Sequence, residues 1–365
     1  MTNLYLIRHA EAEGNLYRIA QGQHDSNLTD RGWKQVRALQ KRFENVHIDA
    51  VYSSDLYRTC ATASALYKPK GLPLHRRKSL REIYVGAWEQ RTWGDIARQE
   101  SQEMEDFSYH MDRWQIPGAE TPGEVLARIR AAVEEIAAEN PDQTVAVFCH
   151  GYAIRLLLAN LQGFTLAETG RKQPTGDNTA VSLLQAENGV LKIVFQNDNQ
   201  HLQTPEYLAG EKVRKRATAL EPGLWFAPLR LPEQADFLRE AGKVIWENLD
   251  ESRLFASAAG RTTIIGYLEE KPVGLLQLGP KTGWISLAYI RPDCRKRGFG
   301  VQLIGQAVQH TRERGGETLY AVLPPQSDTE TFFQDCGFLP QEPSAGGRML
   351  LVKQIGFDPD ILGKS

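Results

Sequence analysis

The chain has 365 residues, 41% hydrophobic and 24% charged, with a formal net charge of -2. That length exceeds one ordinary core and points to two domains. The balanced charge excludes a protein that binds nucleic acid by phosphate neutralisation, and no apolar run nears the ~20 residues that span a bilayer. Cys60, Cys149, Cys294 and Cys336 lie far apart without a C-x-x-C pair. They read as small buried apolar residues, not as a disulfide frame or zinc site. With no secretory leader pattern at the start, a reducing cytoplasm is the expected setting.

In chain order, "NLYLIRH" is a strand, and "TDRGWKQVRALQKRF" an amphipathic helix with Thr29 as N-cap. "IDAVYSS" is a second strand running into the helix "DLYRTCATASALY". "TPGEVLARIRAAVEEIAAEN" sets Val125, Leu126, Ile129, Val133 and Ile136 at helical spacing, before Pro141. "TVAVFCH" is a continuous apolar strand leading through Gly151 into another helix, and "TAVSLLQAENGVLKIVFQ" is a hairpin about Asn188-Gly189. Alternating helices and buried strands imply a mostly parallel sheet covered on both faces. Residues 204–222 read as a linker whose cluster "KVRKR" is a solvated face. Beyond it "TTIIGYLEEKPVGLLQLGPKTGWISLAYIRP" reads as three antiparallel strands, with turns at Glu270-Lys271 and Pro280-Lys281. A glycine turn, a helix, the strand "TLYAVLP" and "TETFFQDCGF" follow, so the two halves have different folds.

Three basic groups stand at the C-terminal ends of the predicted parallel strands: Arg8-His9, Arg58 one turn past its strand, and His150. Ligands of open α/β sheets bind in the crevice beyond those ends. Helices starting there add free N–H groups and a positive dipole end. A histidine at one strand end is commonly structural. Cations repeated at three such ends repel one another unless an anion lies between them, and the arginine fork matches a phosphoryl group.

At these residues the sequence resembles the histidine phosphatase superfamily, in its phosphoglycerate mutase-like branch. The opening motif stands as Arg8-His9-Ala10-Glu11 with Asn15, followed by "QGQHDSNLTDRG" with Gln21 and Gly22. "VYSSDLYRTCATA" carries Arg58, "LREIYVGAWEQRTW" carries Glu82 with Trp88-Glu89 behind it, and "PGAETPGEVLAR", "VFCHG" and "DNTAV" complete the order. The resemblance implies that His9 is a nucleophile forming a phosphohistidine. It likewise implies that Arg8, Arg58 and His150 hold the phosphoryl oxygens, that Asn15, Gln21 and Gly22 face the substrate, and that Glu82 is the proton donor. No metal is implied, since arginines supply the positive charge. Ala10 and Ala12 replace a glycine and a common hydroxyl residue of the family, which puts a methyl near the phosphate and removes one polar contact. The short stretch from Glu82 to Pro117 favours a phosphatase over a mutase.

"YIRPDCRKRGFG" ends a strand and opens a helix. A dinucleotide fingerprint would need glycine where Leu303 stands, and a nucleotide-triphosphate loop would need Gly-Lys followed by Ser or Thr. The remaining reading resembles the GNAT acetyltransferases, whose pyrophosphate turn stands as Arg295-Lys296-Arg297-Gly298-Phe299-Gly300. The resemblance implies a sheet splayed after "WISLAYI" with acetyl-CoA as cosubstrate in the gap. Main chain near Ile290 would hold the pantetheine arm, Arg295, Arg297, Gly298 and Gly300 the pyrophosphate, and an amine would be the acceptor. The family's proton-donating tyrosine is Phe333 here, and a frequent asparagine is Gln326. Trp225 and Trp284 read as core, Glu269 and Glu270 as an exposed turn.

The sequence therefore predicts an α/β protein. Residues 1–203 form a three-layer α/β/α phosphoglycerate mutase-like domain, and residues 223–356 an α+β mixed sheet of GNAT type. The expected partners are a small phosphomonoester, acetyl-CoA and an amine, with neither nucleic acid nor membrane.

Overall fold

A computed structural model of the protein describes residues 1–209, 223–245, 260–323, 329–341 and 348–362. The "KVRKR" cluster and Gln326 lie outside these residues. No described helix is long and apolar enough to cross a membrane.

The chain opens with β1 (Thr2–Arg8), α1 (Glu13–Tyr17) and α2 (Asp30–Arg42). Thr29 caps α2 as expected, its hydroxyl accepting from the Gly32 N–H and satisfying one of the free donors of a helix start. Next come β2 (Ala50–Ser53), α3 (Tyr57–Lys70), β3 (Leu74–Arg76), α4 (Trp93–Gln99) and α5 (Ser101–Tyr109). Then α6 (Pro122–Glu139), β4 (Thr144–Cys149), α7 (Gly151–Leu161), α8 (Leu166–Lys172), β5 (Val181–Glu187), β6 (Val190–Asp198) and α9 (Pro205–Leu208) complete the first half. Helix α6 starts with a Thr121/Glu124 capping box and Pro122 in its first turn, a stop-and-start signal readable in the sequence. Asn188 and Gly189 both take positive φ, +50° and +77°, as a two-residue turn between β5 and β6 requires.

The first sheet runs β3-β2-β4-β1-β5-β6. β1 and β2 flank β4 in parallel, whereas β5 and β6 add an antiparallel edge. Val145 to Cys149 are wholly buried, because helices cover both faces of the sheet. One face packs Trp88, Val133 and Leu157, and the other Leu39, Phe43 and Leu66. The parallel arrangement brings the C-terminal ends of β1, β2 and β4 to one edge.

The second half contains β7 (Trp225–Pro228), α10 (Ala235–Ile245), β8 (Thr263–Leu268), β9 (Lys271–Leu278), β10 (Trp284–Ile290) and α11 (Phe299–Glu313). It ends with β11 (Thr318–Leu323), α12 (Glu330–Asp335), β12 (Leu339–Pro340), β13 (Met349–Gln354) and α13 (Pro359–Leu362). Its sheet runs β12-β13-β11-β10-β9-β8-β7. β8, β9 and β10 are antiparallel as the sequence suggested. Their first turn falls one residue early, at Glu269-Glu270, because Glu269 takes the left-handed φ of +53°. β10 and β11 are parallel but pair only at Trp284–Tyr320 and Ile285–Ala321. A bulge follows in β10 between Ile285 and Leu287, and from there the two strands part.

The two halves exchange core side chains. Tyr17 of α1 is 2% exposed and sits in the core of the second sheet with Leu276, Ile304 and Phe338. It lies against Gly305 of α11, where an added Cβ would come 2.6 Å from the Tyr17 side chain. Arg312 of α11 pairs with the buried Glu13 of α1 at 2.7 Å. In return, Ile361 of α13 packs in the first half's core beside α3, and the Phe357 ring meets Tyr57 at 4.9 Å between centroids. Substituting Tyr17→Ala should therefore destabilise the whole chain by about 3 kcal/mol, the usual cost of emptying an aromatic core site. Urea unfolding followed by fluorescence and far-UV dichroism would check it, with the two signals moving together.

Candidate functional site

His9 follows β1 directly and is 3% exposed. Its Nδ1 lies 2.7 Å from the Ala10 carbonyl oxygen, so Nδ1 carries the proton and Nε2 keeps a lone pair. Burial, and then the charges of Arg58 and Arg8, hold the His9 pKa well below the ordinary histidine value. The ring is thus neutral at pH 7. Ala10 is buried in a hydrophobic core cluster, and its N–H donates to Thr62 Oγ1.

Arg8 ends β1 and donates through Nη1 to the Gly176 carbonyl at 2.5 Å. Arg58 lies in the first turn of α3, 1% exposed, donating from Nη1 to the His24 carbonyl and from Nη2 to the Gly22 carbonyl. His150 precedes α7 as its N-cap and is fully buried, its ring centre 5.4 Å from that of His9. Arg8 Nε, Arg58 Nε and both ring nitrogens of His150 are buried, and no atom of the described residues hydrogen-bonds to them. Burial of such groups without partners costs about 1–3 kcal/mol each. Burial, and then the nearby Arg58 and His9, hold the His150 pKa well below the ordinary value.

Glu82 is half-buried and accepts from the N–H groups of Tyr152 and Ala153 in the first turn of α7. These bonds fix its carboxylate next to His150. Asn178 Nδ2 donates to the His9 carbonyl and stands 3.4 Å from Asn15 Oδ1, which itself accepts from the Ala12 N–H. Gln21 accepts from Ser26 Oγ and packs over Gly14, where a Cβ would fall 2.0 Å from its side chain. Gly22 takes φ +45°. Arg8, His9, Asn15, Arg58, Glu82 and His150 thus belong to one network. Gln21 and Gly22 form the turn beside it. Thr62, Gly176 and Glu89 also brace the site, and nothing in their local spacing marks them.

In the second half, Gly298 is the N-cap of α11 with φ +85°, a conformation glycine adopts without strain. At Gly300 a Cβ would meet the Phe332 ring at 2.7 Å. Arg295 is exposed and donates through Nε to the Ile290 carbonyl, and Arg297 lies over the Phe299 ring. The start of α11 lies after the end of β10, which among the described residues pairs with β11 only as far as Ile285. Phe333 is buried against Phe338, pointing into the core. Trp225 stacks on Tyr267 and Trp284 on Tyr320, both within the sheet.

The sequence profile of the histidine phosphatase superfamily (branch 1) matches residues 4–199, and that of the acetyltransferase (GNAT) family matches residues 224–338. "Phosphoserine phosphatase 1" of Hydrogenobacter thermophilus is 29% identical over 46% of this chain and 80% of that protein. "Probable phosphoglycerate mutase GpmB" of Photorhabdus laumondii is 31% identical over 45% of this chain and 76% of that protein. Among solved structures, Bacillus stearothermophilus YhfR superposes with a TM-score of 0.54 at 28% identity, over 55% of this chain and all of that one.

The lowered His9 pKa has a direct test. Nitrogen NMR of the imidazoles should show His9 protonated on Nδ1 alone, with no titration between pH 7.5 and about 6. A midpoint near the ordinary ~6.5 would contradict the burial argument.

Proposed function

Because the chain belongs to the histidine phosphatase superfamily, we propose that its first domain, residues 1–203, hydrolyses small phosphomonoesters through a phosphohistidine on His9. Support comes from the unpartnered nitrogens of Arg8, Arg58 and His150 gathered around His9. In the first step the His9 Nε2 lone pair attacks phosphorus, the P–O ester bond breaks, and Glu82 gives its proton to the departing alkoxide. In the second step water attacks the phosphohistidine, Glu82 takes the water's proton, and phosphate leaves with His9 restored. The arginines and His150 stabilise the charge on the three non-bridging oxygens in both steps. Glu82 is partly open to solvent, so water reaches the phosphoenzyme, which favours hydrolysis over retention of the phosphoryl group for a mutase.

For residues 223–356 we propose acetyl transfer from acetyl-CoA to an amine, with residues 204–222 joining the domains. The Gly298 helix start suits the pyrophosphate, and the edge of β10 opened beyond Ile285 suits the pantetheine arm. Phe333 has no proton to give, so the thiolate would leave unaided by that position. One contact favours a second reading, an acyl-CoA sensor: α11 carries the glycine turn at one end and packs Gly305 on Tyr17 of α1, next to Asn15. The expected setting for both activities is the cytoplasm.

Phosphate release from a panel of phosphomonoesters should fall by about 10⁴-fold or more in His9→Ala, as loss of a nucleophile generally does. Conversion of 3-phosphoglycerate to 2-phosphoglycerate without phosphate release would establish a mutase instead. Free thiol production from acetyl-CoA with a panel of amines tests the second domain. CoA binding that changes the phosphatase rate without thiol production would select the sensor.

A further inference from the structure

We propose that Glu89 is a positioning residue for the phosphate pocket, acting on Arg58 through the turn formed by Gly22, Gln23 and His24. The inference rests on the reading of Arg58 as a phosphate ligand. Arg58 reaches its place in the pocket by gripping this turn from one side: Nη2 donates to the Gly22 carbonyl at 2.7 Å and Nη1 to the His24 carbonyl at 2.8 Å. Each terminal nitrogen keeps a second N–H, and the buried Nε has no hydrogen-bond partner among the described residues.

Glu89 holds the same turn through the N–H groups of Gln23 and His24. Its Oε1 accepts from the Gln23 N–H at 2.9 Å, and its Oε2 from the His24 N–H at 2.9 Å. Oε1 also accepts from the Val85 N–H at 3.2 Å, tying the turn to the segment that carries Glu82. The chain wraps closely around this carboxylate. At Gly22, with φ +45°, a Cβ would lie 1.7 Å from Oε1, so both the conformation and the space exclude a side chain. The turn thus has its donors satisfied by one anion and its flanking carbonyls satisfied by one cation. Glu89 also lies close enough to Arg58 to favour its charged form.

Opposed demands on one short turn make its shape depend on both partners. A carboxylate at position 89 accepts through two oxygens, whereas glutamine would turn an N–H₂ group toward one of the turn's N–H donors. The turn would then shift, taking with it the two carbonyls that aim Arg58. Glu89 touches neither substrate nor His9, so its influence on phosphate passes through Arg58.

A double-mutant cycle tests this with the full-length protein, using inorganic phosphate as the probe in titration calorimetry and unfolding temperature as the control for folding. Glu89→Gln should weaken phosphate binding by about tenfold, in line with disturbance of one charged hydrogen bond, and should raise KM for a phosphomonoester more than it lowers kcat. In an Arg58→Ala background the same substitution should cost no further affinity. Glu89→Asp, which keeps both acceptor oxygens, should recover part of the loss and serves as the test variant if Glu89→Gln does not fold. Full affinity in a folded Glu89→Gln protein, or a tenfold loss that persists on top of Arg58→Ala, would overturn the proposal. Unchanged phosphate binding in Arg58→Ala alone would instead remove Arg58 as a phosphate ligand, and the proposal would fall with that premise.

Discussion

Mutual repulsion among buried cations is the constraint on which the first domain turns. Arg8, Arg58 and the His9–His150 pair meet at one sheet edge, where burial lowers both histidine pKa values and leaves the rings neutral. Neutral rings limit the repulsion and, at His9, leave a lone pair for chemistry. The two guanidinium groups keep their charge and are balanced at a distance by Glu82, Asp177, Asp25 and Glu89. β1 and β4 place Arg8, His9 and His150, and the first turn of α3 places Arg58.

The second domain is more than an appended module. Tyr17 completes the second core, Ile361 completes part of the first, and Arg312 neutralises the buried Glu13 one residue before Gly14. Breaking the last contact would leave an uncompensated buried charge, which is far more costly than an exposed one. The helix α1 is therefore common to both halves, carrying Asn15 toward Asn178 and Tyr17 toward α11.

Much of the site was legible because its residues sit at grammatical positions: Arg8-His9 and His150 end strands, and Arg58 starts a helix. Thr29, the Thr121/Glu124 box and Asn188-Gly189 likewise announce themselves through local chemistry. Tyr17 was not legible as a domain contact, since α1 is a five-residue helix too short to show a periodic face. The closeness of Gly300 to the Phe332 ring, thirty-two positions later in the chain, was not legible either. Glu89 stood within a quoted motif without a role, because its partners are main-chain N–H groups that carry no residue identity. Contacts of backbone with distant side chains leave no pattern in spacing.

The proposed phosphatase chemistry requires one phosphoryl group held between His9 Nε2 and the nitrogens of Arg8, Arg58 and His150. A crystal structure of the protein soaked with orthovanadate tests it most directly. Vanadium should be bonded to His9 Nε2, with its equatorial oxygens accepting from Arg8, Arg58 and His150 and an apical oxygen near Glu82. Vanadate bound away from His9, or an Arg8–Arg58–His150 cluster that takes up no oxyanion, would contradict it.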